Sequence, residues 1–160
     1  MSRRALPHES PVHGYTLTEL LVVLGILGLV GVLGGGWWLS ALPHTRLNGA
    51  VRFVRSDLLA ARMQAIAQGH KVRVTFIDDT RYSMVQDING NGRVDPGEDQ
   101  TVRDLREAFP GVTIQSTNNP IFHPRGTASN LATVTLRNSA GIRTVTISIT
   151  GRVRVQVPQP

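Results

Sequence analysis

Gly14-Tyr15-Thr16-Leu17-Thr18-Glu19, with the apolar run behind it, decides how this chain is organised. From Leu20 to Leu42 there are 23 residues without a charged side chain. As a helix rising about 1.5 Å per residue, that run reaches about 35 Å, enough to cross a bilayer core of about 30 Å. One carboxylate, Glu19, stands at its start. A charge in lipid costs at least about 2.5 kcal/mol, so this acid calls for a partner. Arg3 and Arg4 precede the run, which predicts a cytoplasmic leader with the remainder of the chain carried across the membrane. A secretory signal peptide would have an apolar core of about 7–15 residues followed by a small-residue cleavage site; this run is longer and has no such site behind it. An ordinary signal anchor fits the length and leaves Glu19 without a role.

Working outward, Gly25, Gly28, Gly31 and Gly34-Gly35-Gly36 weaken the run as a helix, each by up to about 1 kcal/mol relative to Ala. Glycines also let membrane helices approach closely, and Trp37 and Trp38 mark the far interface. Pro43 allows a kink, after which Leu47, Val51, Val54, Leu58, Ala61 and Ala65 recur at alternating spacings of four and three, an apolar stripe on one helical face. Arg46, Arg52, Arg55 and Arg62 fall on other faces, and Gly69 suits the C-terminal cap.

From Lys71 the period changes to two, with Val72, Val74 and Phe76 alternating with Lys71, Arg73 and Thr75. Further β-branched runs are Arg81–Gln86, Thr101–Arg106, Val112–Gln115, Ile121–His123, Thr133–Arg137, Arg143–Thr150 and Arg152–Val157. Gly, Asn and Pro separate them, the pattern of an antiparallel β domain of two packed sheets. The fold class is therefore α+β: a long N-terminal helix continuing into an amphipathic helix packed on a C-terminal antiparallel β-sandwich. The divisions are a leader at 1–14, a membrane or filament-core helix at 15–42, an amphipathic helix at 43–69 and the β-sandwich at 70–160. The tail from Val157 to Pro160 is expected to fray.

The chain has no cysteine, which excludes disulfides and thiol or iron–sulfur chemistry. The formal charge of +6 is uneven. Residues 78–110 hold eight acids against four arginines, whereas residues 111–160 hold Arg125, Arg137, Arg143, Arg152 and Arg154 and no acid at all. An acid-free C-terminal third suits a polyanionic partner, or a surface that simply uses arginine for solubility. His8, His13, His44, His70 and His123 stand outside any metal or nucleophile motif, so no catalysis is read.

Asp87-Ile88-Asn89-Gly90-Asn91-Gly92-Arg93-Val94-Asp95-Pro96-Gly97-Glu98 satisfies the calcium-loop pattern D-x-[DN]-x-[DN]-G-x5-E. Asp87, Asn89 and Asn91 would offer side-chain oxygens, Arg93 its carbonyl, Glu98 a bidentate carboxylate and Asp95 a contact through water. The same glycines and asparagines equally suit a long hairpin loop, and strand-like sequence precedes it where an EF-hand has a helix. In Gly151-Arg152-Val153-Arg154, the two arginines lie at i and i+2 of a strand and so share a face. Their separation of about 6.6–7 Å is near that of successive phosphates in an extended nucleic-acid strand. The alternative is an ordinary solvent-facing strand, with Val153 and Val155 turned to the core.

The basic leader, Gly14, the aromatic Tyr15, Glu19 and the apolar helix together resemble the prepilin signature of type IV pilins and type II secretion pseudopilins. Ser56-Asp57-Leu58-Leu59-Ala60-Ala61-Arg62-Met63-Gln64-Ala65-Ile66 resembles the helix end of the GspH/FimT minor pseudopilins. Phe122-His123-Pro124-Arg125-Gly126 and Thr150-Gly151-Arg152-Val153-Arg154-Val155 resemble two further segments of that family. The resemblance implies cleavage after Gly14 by the prepilin peptidase and methylation of the new N-terminus at Tyr15, where the family usually has Phe. It implies pairing of Glu19 with the N-terminus of a neighbouring subunit during assembly. It also implies a bacterial inner-membrane protein with its β domain in the periplasm, later built into a pseudopilus or pilus among other pilin or pseudopilin subunits. Some FimT-type members bind DNA during natural transformation through a GRxR motif, which carries that role to Arg152 and Arg154; relatives in type II secretion have similar ends without it.

Overall fold

The structure, a computed structural model, describes residues 14–156, apart from the side chains of residues 32–40. The leader before Gly14, the side chains of Trp37 and Trp38 and the tail from Val157 lie outside the described residues.

Helix α1 runs from Leu17 to Gln68. Thr16 starts it: its Oγ1 and its carbonyl accept from the Glu19 N–H at 3.3 and 3.1 Å, with Glu19 at the third position, where a capping box places an acid. Gly69, at φ +72, stops it, donating its N–H to Ala65 O at 3.2 Å. The boundary expected at 42/43 falls inside this helix. Pro43 removes one ladder hydrogen bond, but its fixed φ is helical, so the chain continues. By compactness the chain falls into two units, Met1–Leu39 and Ser40–Pro160.

In the first unit, every described side chain from Gly14 to Gly31 is exposed, although most are aliphatic. Among the described residues no helix is long and apolar enough to cross a membrane. Residues 32–40 fall within the expected span, so the whole 20–42 run is not described with its side chains.

In the second unit, the stripe Leu47, Val51, Val54, Leu58, Ala61 and Ala65 is buried throughout, joined by Ala50. Leu47, Val51, Val54 and Leu58 each contribute about 1.5–3 kcal/mol by leaving water. Small residues bring the helix close to its neighbours: a Cβ on Gly49 would stand 2.6 Å from Phe109 Cε1. Asp57 interrupts the stripe, buried, and is satisfied by Tyr82 Oη–H at 2.7 Å and Arg103 Nε–H at 3.1 Å. Arg103 in turn lies 5.6 Å from the centre of the Phe53 ring. An unpaired charge in that position would be strongly destabilising. Burial first, and then the Asp57 carboxylate, push the Tyr82 phenol above its ordinary range.

Two antiparallel sheets complete the unit. One has the strand order β3-β2-β1-β5-β6, from β1 (Lys71–Phe76), β2 (Arg81–Asp87), β3 (Gln100–Asp104), β5 (Ile121–Phe122) and β6 (Ala128–Ser129). The other has the order β4-β7-β8-β9, from β4 (Thr113–Ser116), β7 (Ala132–Asn138), β8 (Gly141–Ile147) and β9 (Val153–Gln156). Val72, Val74, Tyr82 and Phe122 of the first sheet and Ile114, Val134, Leu136, Val145 and Ile147 of the second join the helix stripe in one apolar cluster. The expected α+β class is therefore found: a helix packed on an antiparallel β-sandwich.

Several expected strands are shorter than read; Ile121–His123 stops at Phe122 and Arg152–Val157 begins at Val153, and two others end for a visible reason. The Thr101–Arg106 run ends at Asp104, whose carboxylate accepts from Arg106 N–H at 2.9 Å and caps α2 (Leu105–Ala108). The Arg143–Thr150 run ends at Ile147, because Ser148–Gly151 forms a turn closed by Gly151 N–H to Ser148 O at 2.8 Å.

Candidate functional site

Three stretches singled out in the sequence meet at one point. Arg62 of α1 donates through Nε to the carbonyl of Gly126 at 2.8 Å. Gly126 closes the turn between β5 and β6, and Gly151 closes the turn between β8 and β9. A Cβ on Gly151 would collide with Gly126 O and stand 2.8 Å from Arg62 Nε; a Cβ on Gly126 would stand 3.1 Å from Ile66 Cδ1. Both glycines have positive φ, +70 and +78. Packing and backbone geometry thus account for both, and the Gly151 turn sets the direction in which the chain enters β9.

Arg152, Val153 and Arg154 take that direction. Both arginines are exposed and Val153 is buried, as the alternation requires, while Val155 is 40 % exposed because β9 is the sheet edge. Arg152 precedes β9 and is held by Ser148, which donates its N–H to Arg152 O at 3.0 Å. Arg55 of α1 joins them: an open groove of about 510 Å³ is lined by Arg55, Arg152, Val153, Arg154, Val155 and Gln156. Register extends the basic character across the sheet. Arg154 lies opposite Thr146, and Thr146 opposite Thr133; on the same face Arg137 lies opposite Ile142. Arg143, opposite Leu136, belongs to the other face, and Arg125 sits in the β5–β6 turn. Among the described residues, Arg55, Arg152 and Arg154 take part in none of the ion pairs found.

The Asp87–Glu98 stretch connects β2 to β3. Asp87 is buried, and its Oδ2 accepts from Gly92 N–H at 3.1 Å. Asn89 Oδ1 and Asn91 Oδ1 accept from the N–H groups of Asn91 and Arg93 at 3.0 and 2.7 Å. Both amide nitrogens donate to Asp95 Oδ2, and those bonds, Asn89's first, hold the Asp95 carboxyl below its ordinary range. Glu98 accepts from the N–H of Ile88 at 3.0 Å and of Asp95 at 3.1 Å. Among the described residues, no three His, Cys, Asp or Glu side chains are grouped to hold a metal ion. His123 shares a hydrogen bond of 2.9 Å with Ser129 Oγ.

At the N-terminal end, Tyr15 is 86 % exposed and borders Glu19, Leu20 and Val23 on one side of α1. The sequence offered no sign that Arg55 would join Arg152, since close to a hundred residues separate them; nor did it show Arg62 as the link between two turns.

Comparison with known proteins places this architecture. Residues 50–151 match the model of the family described as Type II transport protein GspH. The Pilin-like protein PilA1 of Thermus thermophilus is 30 % identical over 154 residues, covering 89 % of this chain and 97 % of that protein. Among solved structures, the type IV minor pilin FimU of Pseudomonas aeruginosa aligns with a TM-score of 0.55 at 18 % identity, over 71 % of this chain and 90 % of that one. The minor pseudopilin EpsH of the Vibrio cholerae Type 2 Secretion System aligns with a TM-score of 0.54 at 18 % identity, over 72 % and 99 %. A long helix packed on this pair of antiparallel sheets thus defines the class of pilins and pseudopilins. The chain belongs to the GspH family.

Proposed function

We propose that this chain is a non-catalytic minor pilin or pseudopilin, a structural subunit of a type II secretion pseudopilus or a type IV pilus. In this reading the prepilin peptidase cuts between Gly14 and Tyr15, and the helix beyond the cut carries the subunit from the inner membrane into the filament. The observation that supports it is the Gly14–Gly31 stretch, exposed on all sides, largely aliphatic, with Glu19 as its one charge. A helix apolar all round is stable in lipid or among other helices, not in water. A Cβ at Gly14, Gly25, Gly28 or Gly31 would meet nothing within 4 Å, so packing within the subunit gives no reason for these glycines. Gly14 suits a peptidase site, and the others suit close approach of neighbouring helices. Glu19 would pair with the methylated amine of a neighbouring Tyr15, which answers the cost of burying its charge.

Intact-mass analysis of the chain with and without the peptidase tests the cleavage: the mature chain is expected to begin at Tyr15, and any other N-terminus refutes the reading. Glu19→Ala is expected to insert into the membrane yet enter filaments at least tenfold less often. Wild-type levels of assembly would remove the pairing.

A second reading, display of a DNA-binding face on the filament, is favoured by Arg55 joining Arg152 and Arg154 in one acid-free groove. Backbone phosphate contacts from such a face would bind DNA with little sequence preference.

A further inference from the structure

The β2–β3 loop contains one polar atom that the fold leaves unmet. Asp87 has a side chain only 3 % exposed, and its Oδ1 has no hydrogen-bond partner. The carboxylate is turned into the loop, because its other oxygen takes the N–H of Gly92 from the loop's far side. Arg73 Nη2 approaches that same Oδ2, at 4.0 Å, and leaves Oδ1 without a donor. A buried carboxylate oxygen without a partner is costly, and a cation is the natural complement to it.

The neighbouring oxygen donors are held by the loop's own hydrogen bonds. Asn89 Oδ1 and Asn91 Oδ1 each accept one backbone N–H and keep a second lone pair. Glu98 is drawn into the loop by two backbone N–H groups, and Asp95 by the two asparagine amides. Gly92, at φ +76, makes the sharp turn at the sixth position; a Cβ there would stand 2.6 Å from Arg73 Nη2.

We propose that this loop binds one Ca²⁺, with Asp87 Oδ1 as its buried ligand. Asn89, Asn91, the Arg93 carbonyl and Glu98 complete the oxygen set, and Asp95 acts through water. The donors are all oxygens, two of them neutral amides, which suits calcium's large and flexible shell. Magnesium demands a stricter octahedron, and zinc seeks nitrogen or sulfur. Asp87, Asp95 and Glu98 are not grouped as a three-acid site among the described residues, so binding requires the amide and carbonyl oxygens to supply the balance and the loop to tighten around the ion. Two neutral ligands and the nearby Arg73 place the dissociation constant in the weak range, about 10⁻⁴–10⁻³ M. This assignment is independent of the filament role.

The test uses the full chain in detergent micelles, with 5 mM CaCl₂, 5 mM MgCl₂ or excess chelator. Equilibrium dialysis with ⁴⁵Ca is expected to find about one ion per chain at saturation, and the melting temperature is expected to rise by about 2–9 °C in calcium. Asp87→Asn is expected to weaken binding at least tenfold. Because Asp87 is buried, the exposed pair Asn89→Ala with Asn91→Ala provides a second variant, expected to lose the calcium response while keeping the fold. The assignment is overturned by a melting temperature equal in calcium and chelator with no ion retained, by an equal rise in magnesium, or by folded variants that bind as wild type does.

Discussion

A side chain on Gly151 has nowhere to go. Its Cβ would meet Gly126 O and Arg62 Nε, and φ of +70 is unfavourable to any L-residue. Gly97 also has a positive φ, +97, but open space around it. Gly151→Ala is therefore expected to lose more than about 2 kcal/mol of stability and Gly97→Ala only about 1. Urea denaturation of the two variants makes the comparison; equal losses would show that the contact at Gly151 relaxes freely. At this scale much was hidden from the sequence. Asp57 reads as a lone acid in a helix, since its partners Tyr82 and Arg103 stand 25 and 46 residues away. The Asp87–Glu98 stretch was legible as a loop rich in local polar partners, but the turning of both asparagine amide nitrogens to Asp95 was not.

Among the elements, the β1–β2 connection is organised by one carboxylate. Asp78 Oδ1 accepts from the N–H groups of Thr80 and Arg81 at 2.9 and 2.7 Å and from Thr80 Oγ1 at 3.0 Å, while Oδ2 accepts from Arg81 Nε at 2.7 Å. The Thr80 N–H, then the Arg81 side chain, hold the carboxyl well below the usual range. A lowered folded value means the contribution is fully present above the unfolded pKa, near 3.9, and is lost as pH falls through the folded one. Asp78→Ala is thus expected to lower the melting temperature by a constant amount above about pH 5, with the gap to wild type closing as pH falls below about 4. A gap that persists undiminished at pH 2 would contradict this account. The helix stripe and the alternation of β1 were legible because each repeats its own period, whereas the end of β3 was not. Asp104 reads as one more strand residue until its side chain is seen capping α2.

For the whole molecule, charge distribution is the property that distinguishes a purely structural subunit from one that also holds DNA. The sequence located the acid-free third, Arg137 and Arg143 within it, and the pair Arg152 and Arg154; the fold added Arg55, set Arg137 on the same sheet face as Arg154 and separated off Arg143. If the basic face contacts phosphates, binding to duplex DNA falls steeply with salt, by about 0.9 in the log–log slope per contact. Replacing Arg55, Arg152 and Arg154 with Gln is expected to flatten that slope by about 2–3 without changing the fold. A salt titration of wild type and the triple variant decides it, and indistinguishable curves would leave the face as a solvated edge.

Arg62 has a mechanical consequence. It reaches from α1 to the turn of one sheet, and that turn abuts the turn of the other. A filament subunit is loaded along its helix when the polymer is pulled or thrust forward. If this chain is loaded in that way, the Arg62 contact is a point at which tension in the helix is passed to the adjoining turns of both sheets.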